Sequence, residues 1–139
     1  MATTYIDQDR NEYSIDDGLE SIVVIKDLGD LPGGVILADT AGDALDADEC
    51  TKAGNLIIKV VNDTTGETRY APLGVTDGEY DALPVIEGST ASYVGVLKAS
   101  IANKEPFGAV LTMGQVNDAA CPAPVTDAIK AELVNIQFI

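Results

Sequence analysis

The apolar residues of this chain come in short runs, each closed by glycine, proline, asparagine or aspartate. Short apolar runs bounded by such residues are typical of β-strands separated by turns. None approaches the roughly 20 apolar residues that a membrane-spanning helix needs. The runs lie at residues 21–26 (SIVVIK), 35–38 (VILA), 55–61 (NLIIKVV), 67–73 (ETRYAPL), 92–99 (SYVGVLKA) and 108–113 (GAVLTM). The sequence therefore predicts a mainly β fold.

The segments between these runs are rich in turn residues. Residues 55–61 and 67–73 flank the five-residue loop NDTTG, which predicts a β-hairpin. The stretches 27–34 and 74–88 are predicted to be turns, because glycine, proline and aspartate recur in them. Residues 39–52 are small and acidic, and we predict a loop with one helical turn around residues 46–50.

One helix is predicted near the C-terminus. Thr126 is a suitable N-cap, and Asp127 would lie at the positive end of the helix dipole. Pro122 and Pro124 precede it and cannot occupy a helix interior. One apolar stripe follows at helical spacing, formed by Val125, Ile129, Leu133 and Ile136. The alternating residues 136–139 predict a final strand.

The first 20 residues differ from the rest of the chain. They are polar and acidic, with few large apolar side chains, so they cannot bury enough surface to offset the entropy of ordering. We predict a flexible, extended N-terminal arm at 1–20 and a single domain at 21–139. Tyr13 and Ile15 alternate, so this part of the arm could form a short strand on a partner.

The chain carries a net charge of −15. The acidity is concentrated in the first 50 residues, where acidic side chains far outnumber Arg10 and Lys26. Such a chain would be repelled by phosphates and by anionic lipid surfaces, so neither nucleic acid nor a membrane is an expected partner. No window is typical of a secretory signal, and synthesis in a cytoplasm is expected.

Catalytic and metal motifs are weak in this sequence. It contains no histidine, the commonest general base and metal ligand. Paired carboxylates could still catalyse acid–base chemistry, but the acidic segment 43–49 has neither the spacing nor the glycine of an EF-hand. Cys50 and Cys121 form no CxxC motif and are interpreted as unpaired structural thiols. We therefore predict no catalytic, metal-binding or cofactor-binding residues.

A family resemblance is carried by the C-terminal third of the chain. The strand VGVL at 94–97 is followed by AVLTMGQVNDAA at 109–120, TDAIKAEL at 126–133 and the apolar end IQFI at 136–139. This order resembles the lambda-type head decoration proteins of tailed phages. Upstream, LPGGVIL at 31–37 is similar to the family's first glycine-containing strand, and Asp77-Gly78 stands where the family has a turn.

The resemblance implies a structural virion protein without catalysis or cofactor. The implied fold is a β-clip-like mixed sheet with short helices, one of them near the C-terminus. The implied partners are the major capsid protein and two further copies of the chain, which would form a homotrimer on the outer capsid surface at three-fold positions. The arm residues expected to contact the capsid are Tyr5, Ile6, Tyr13 and Ile15. The protein would be made in the host cytoplasm and would act in the virion.

Two other functions stay open on the sequence alone. Another virion module, such as a head fibre, a tail-tube domain or a receptor-binding β domain, would share the acidic β character. An enzyme would need convergent carboxylates with shifted pKa values in a concave site. The sequence contains no spacing that indicates such a site.

Overall fold

The fold is seen in a computed structural model that describes residues 23–40 and 42–139. Strands hold 44% of the described residues and helices 8%, which confirms the mainly β prediction. The strands are β1 (Val24–Asp30), β2 (Val35–Ile36), β3 (Cys50–Thr51), β4 (Leu56–Asn62), β5 (Thr68–Pro72), β6 (Val75–Thr76), β7 (Glu79–Tyr80), β8 (Ser89–Leu97), β9 (Ile101–Ala102), β10 (Phe107–Gly108), β11 (Val110–Val116) and β12 (Ile136–Phe138). A 3₁₀ helix covers Asp118–Ala120, and α1 covers Asp127–Glu132.

The main sheet has the order β1-β11-β8-β4-β5, with β12 beside β11. All of its pairs are antiparallel except β11 with β12, so the sheet is mixed, as predicted. β11 pairs with β8 at Val110 and Leu111, and with β12 from Gly114 to Val116. Three two-stranded ribbons, β2–β10, β3–β9 and β6–β7, and a parallel bridge between Leu37 and Tyr70 lie outside this sheet.

The predicted hairpin is present as β4 and β5, joined at residues 63–67. The side-chain oxygen of Asn62 accepts hydrogen bonds from the backbone N–H groups of Thr64 and Thr65, both at 2.9 Å. An asparagine that bonds the backbone two and three residues ahead closes a turn locally. This part of the fold is therefore encoded by neighbouring residues.

The sheet separates two hydrophobic clusters on opposite faces. On β4, Leu56 and Ile58 belong to the larger cluster, whereas Ile57 between them belongs to the smaller one. The same alternation separates Leu111 from Val110 on β11, as expected when successive side chains of a strand point to opposite faces. We call the side of the larger cluster the first face and the side of the smaller cluster the second face.

The first face is covered by the C-terminal helix. The hydroxyl of Thr126 accepts a hydrogen bond from the backbone N–H of Ile129 at 3.3 Å, so the predicted N-cap is confirmed. All four residues of the predicted stripe are buried in the larger cluster: Val125, Ile129, Leu133 and Ile136. A six-residue helix is marginal alone, so packing of this stripe on the sheet supplies most of its stability.

The second face is crossed by the segment that follows β1. Three of its backbone N–H groups donate hydrogen bonds to carbonyl oxygens elsewhere. Leu31 donates to Val110 at 3.0 Å, Leu37 to Pro106 at 2.7 Å and Ala38 to Tyr70 at 2.9 Å. The segment thus runs from β11 to β5, the opposite edge of the sheet. Leu37 of this segment packs with three residues of the sheet, Ile57, Leu97 and Val110, in the smaller cluster.

The structure corrects two local predictions. β1 continues to Asp30, through residues 27–30 that were predicted to be a turn, because β11 supplies partners as far as Leu111. The prediction of one helical turn at 46–50 holds only in part. The N–H of Glu49 donates to the carbonyl of Asp46 at 3.1 Å and closes a single turn, but Cys50 begins β3 and pairs with Ala102. Both differences arise where a distant strand, rather than the local sequence, determines the backbone.

The predicted arm, residues 1–20, lies outside the described residues. The four candidate capsid contacts, Tyr5, Ile6, Tyr13 and Ile15, lie there too. The division into an arm and one domain stays a prediction.

Candidate interaction surface

A short ribbon on the second face exposes two large apolar side chains side by side. Ile36 on β2 lies directly opposite Phe107 on β10, and Val35 lies opposite Gly108. Residues opposite each other in an antiparallel pair share one face. Val35 packs on the smaller cluster, whereas Ile36 and Phe107 remain 70% and 57% exposed. The ribbon therefore turns one pair inward and one apolar pair outward.

The absence of a side chain at Gly34 leaves room for the Phe107 ring. Gly34 has a φ of +74°, and a Cβ at this position would lie 2.9 Å from the carbonyl oxygen of Gly108 and 3.0 Å from the Phe107 ring. The N–H of Gly34 donates to the carbonyl of Leu31 at 3.2 Å, which closes the preceding turn. Only glycine satisfies both the left-handed backbone and this close approach. The ring therefore packs against bare backbone.

The surroundings of this pair carry little charge. No charged residue occurs between Leu31 and Ala38, and the segment before Phe107 contributes one lysine and one glutamate, Lys104 and Glu105. We call residues 31–36 and 104–108 together the ribbon surface. On a chain with a net charge of −15, it is an electrically neutral area.

The edge strand β1 presents a second set of exposed apolar side chains. It is the terminal strand of the sheet order, and Ile25 and Leu28 are 51% and 58% exposed. This edge is charged, because Asp27 and Asp30 both form ion pairs with Lys98, the latter at 2.7 Å. The hydrogen bonds to Asp27 and then to Asp30 raise the pKa of Lys98.

Two partly buried groups, Cys121 and Tyr80, have pKa values raised well above neutral. Burial is the main cause that raises the pKa of Cys121 to about 11, and the charge of nearby Asp118 adds to it. Burial also raises the pKa of Tyr80, whose hydroxyl donates to the carbonyl of Gly54 at 3.2 Å. A protonated thiol is a poor nucleophile, so these groups are better suited to packing than to catalysis.

Several absences hold for the described ranges only. Within residues 23–40 and 42–139, no three His, Cys, Asp or Glu side chains are arranged to hold a metal ion. In the same part of the chain no helix has the length and apolarity to cross a membrane. Both cysteines are free thiols; Cys50 is exposed and Cys121 is partly buried.

The ribbon surface was not predicted from the sequence. A usable signal was present, because the three successive apolar residues Val35, Ile36 and Leu37 cannot all point inward from a strand. Which one points outward depended on the partner, since β10 pairs with β2 from about 70 residues away along the chain. Phe107 belongs to a strand of two residues that has no recognisable period of its own.

The segments that carry the family resemblance lie side by side. β8 contains VGVL, and it pairs with β11, which contains most of AVLTMGQV. The 3₁₀ helix and α1 follow, and β12 returns to pair with β11. These elements surround the larger cluster as one unit.

Three residues in these segments have structural tasks. A Cβ on Gly95 would overlap the carbonyl oxygen of Leu111, and one on Gly114 would overlap that of Lys26. Asn117 caps the 3₁₀ helix by accepting a hydrogen bond from the N–H of Ala119 at 3.2 Å. Its own N–H donates to the carbonyl of Val23 at 2.7 Å, just before β1. The motif residues therefore serve strand approach and turn closure.

Comparison of the chain with family models, with curated proteins and with solved structures found no match.

Proposed function

We propose that this chain is a structural virion protein that binds the outer surface of a phage capsid, as a homotrimer at three-fold sites. There it would stabilise the head against the pressure of the packaged DNA. One observation carries the proposal: the segments that resemble the lambda-type decoration family form one contiguous unit of the fold, in the expected order of strand, strand, helix and strand.

The residues of that unit support the proposal physically. Gly95 and Gly114 stand where β11 is approached too closely for any side chain, and Asn117 closes the turn that follows. Both glycines lie in the segments that carry the resemblance, so the matched residues include ones that this fold requires.

The charge supports an outer position. A chain with a net charge of −15 would be repelled by packaged DNA. The proposed partners are the major capsid protein and further copies of the chain, with no nucleic acid, membrane or cofactor. Stabilisation would follow from mass action, because a ligand that binds only the intact lattice favours that lattice. Many copies per shell would multiply a modest free energy per site.

The test of the proposal measures DNA release. Purified protein is added to undecorated, DNA-filled capsids of the phage that encodes it, and DNA release is followed during heating. We expect decorated capsids to release DNA at a higher temperature than bare ones. Occupancy is determined in parallel by sedimenting the capsids. Equal release temperatures at saturating occupancy would contradict the proposed stabilisation of the head and favour a host-binding role.

The arm is tested by deletion. Tyr5, Ile6, Tyr13 and Ile15 are the proposed capsid contacts, and an extended segment with apolar anchors is suited to adding a strand to a partner. Deleting residues 2–18 should leave a folded protein that no longer cosediments with capsids. A matched full-length variant, in which only these four residues become serine, separates the anchors from the length of the arm. Undiminished binding by both variants would refute this part.

A further inference from the structure

We propose that the ribbon surface is where copies of this chain contact one another, with Ile36 and Phe107 close to the symmetry axis. The trimer count rests on the proposed function, but the contact is argued from the ribbon itself. Residues beside a rotation axis meet the same residues of the neighbouring copies. One exposed pair can therefore form a shared apolar centre without a separate complementary site.

The geometry of the pair favours an interface. Single exposed apolar side chains are ordinary on protein surfaces, but Ile36 and Phe107 lie directly opposite each other and form a continuous patch. Gly34 limits the position of the ring from below, and Val35 anchors the same strand in the smaller cluster. A side chain that is already positioned loses little conformational freedom on association.

The charge distribution favours this patch as the place where copies meet. Two chains of net charge −15 repel each other, and the local repulsion is smallest where neutral surfaces face each other, as the ribbon surface would. Lys104 and Glu105 flank it with opposite charges, which allows attraction across a symmetric contact. By contrast, the β1 edge places Lys26, Asp27 and Asp30 among its apolar residues, so it is less suited to self-association.

The size of the patch predicts weak association. A stable interface covers about 800 Å² on each partner, more than two side chains and their neighbouring turns provide. The free protein should therefore associate only as its concentration rises. On a capsid, copies held close together would associate far more readily, because their effective concentration is high.

The experiment is sedimentation velocity over a concentration series of the full-length chain. Phe107→Ser is compared with Leu28→Ser, a matched control because the two side chains are 57% and 58% exposed. We expect wild type and Leu28→Ser to associate alike, and Phe107→Ser to need at least a tenfold higher concentration, a typical effect for an aromatic at the centre of an interface. Equal effects of the two substitutions, or a wild type that stays monomeric throughout, would overturn the proposal.

The salt dependence of association gives an independent test. Added NaCl screens the repulsion between acidic copies, whereas burial of an apolar pair does not require low salt. At 0.5 M NaCl the Debye screening length falls to about 3 Å to 5 Å. Association of wild type should therefore be maintained or strengthened at this salt concentration. Dissociation by salt would show that ion pairs hold the copies together and would overturn the apolar contact.

Cross-linking covers the case in which Phe107→Ser disturbs the fold, which urea unfolding would reveal. In a Cys50→Ser background, Phe107→Cys should form a disulfide between copies under mild oxidation, and Leu28→Cys should not. Cross-linking at position 28 alone would locate the contact at β1 and refute the inference. Capsid stabilisation is measured separately, so failure of the ribbon contact and failure of the decoration function give different results.

Discussion

The two faces of the central sheet are covered in different ways. The larger cluster, on the first face, has 13 buried residues, including those that α1 and the C-terminal segments contribute. The smaller cluster, on the second face, has four, including Leu37 of the crossing segment. Both clusters are shielded from water, but the ribbon over the second face exposes a directly opposed apolar pair, Ile36 and Phe107.

The first face uses its apolar side chains for folding, whereas the cover of the second face leaves apolar surface that folding does not use. The first face is sealed by a capped helix whose apolar stripe is fully used inside the chain. The cover of the second face uses alternate residues inward and outward, so part of its apolar surface remains available to another molecule. Four predictions test this contrast, ordered by the size of the expected effect.

The largest effect should come from truncating leucines that are equally buried on the two faces. Leu111 on the first face and Leu97 on the second are both 0% exposed. Leu111→Ala should lower the free energy of unfolding by about 3 to 5 kcal/mol, and Leu97→Ala by about 2 to 4, because loop-like cover can collapse into a cavity more easily than a packed sheet and helix. Urea unfolding measures both. A larger loss for Leu97→Ala would mean that the second face is the more rigid one.

The helix stripe should give the next largest effect. Leu133 is buried in the larger cluster, and Leu133→Ala should cost about 2 to 3 kcal/mol, the lower part of the range for buried leucines, because it lies at the end of a short helix. Val134 is its matched control, since it is 77% exposed and Val134→Ala should change stability by less than about 0.5 kcal/mol. Thermal unfolding measures both variants. Equal falls in melting temperature would contradict the packing of Leu133 in the larger cluster.

The N-cap should contribute less. Thr126→Ala removes the oxygen that accepts from the N–H of Ile129 and should cost about 1 kcal/mol. Thr126→Ser retains the acceptor and should remain close to wild type. An alanine variant as stable as the serine variant would show that the sheet alone positions α1.

The smallest effect should come from Lys98 at the β1 edge. Lys98→Met removes both ion pairs with Asp27 and Asp30, and at neutral pH it should cost no more than about 0.5 kcal/mol, because these side chains are partly exposed and salt screens them. High salt should reduce the difference further. A loss well above this value would mean that the edge strand depends on the pairs.

The pH dependence of that variant has a definite sign. The two aspartates raise the pKa of Lys98 above the ordinary lysine value of 10.5. The contribution of Lys98 to the free energy of unfolding should therefore be fully present below pH 10.5. It should disappear as the pH rises through the higher pKa of Lys98 in the folded protein. Urea unfolding of wild type and Lys98→Met should consequently converge at strongly alkaline pH, and a gap that widened there would contradict the assignment.

Local chemistry made several elements predictable. The β4–β5 hairpin was readable because Asn62 bonds the backbone within its own turn. Helix α1 was readable because its cap, Thr126, and its stripe fall within about ten residues of one another. Such features depend on residues close in sequence, so a pattern of a few positions contains their cause.

Strand limits and strand partners were not predictable in the same way. Residues 27–30 contain aspartate and glycine and were predicted to be a turn, yet they form the second half of β1 because β11 offers hydrogen bonds there. Cys50, predicted to end a helical turn, begins β3 for the same reason, because it pairs with Ala102. Strand hydrogen bonds join segments that are distant in sequence, and no local pattern indicates which segment will be the pairing partner.

The sequence by itself determined the mainly β character, the hairpin, the capped helix and its buried stripe, because each follows from the period or the turn chemistry of neighbouring residues. Only the tertiary structure decided the order β1-β11-β8-β4-β5 and the exposure of Ile36 and Phe107. In the run VIL, alternation requires one side chain to face away from the core. Pairing with a ribbon strand about 70 residues distant made that side chain Ile36 and set Phe107 beside it.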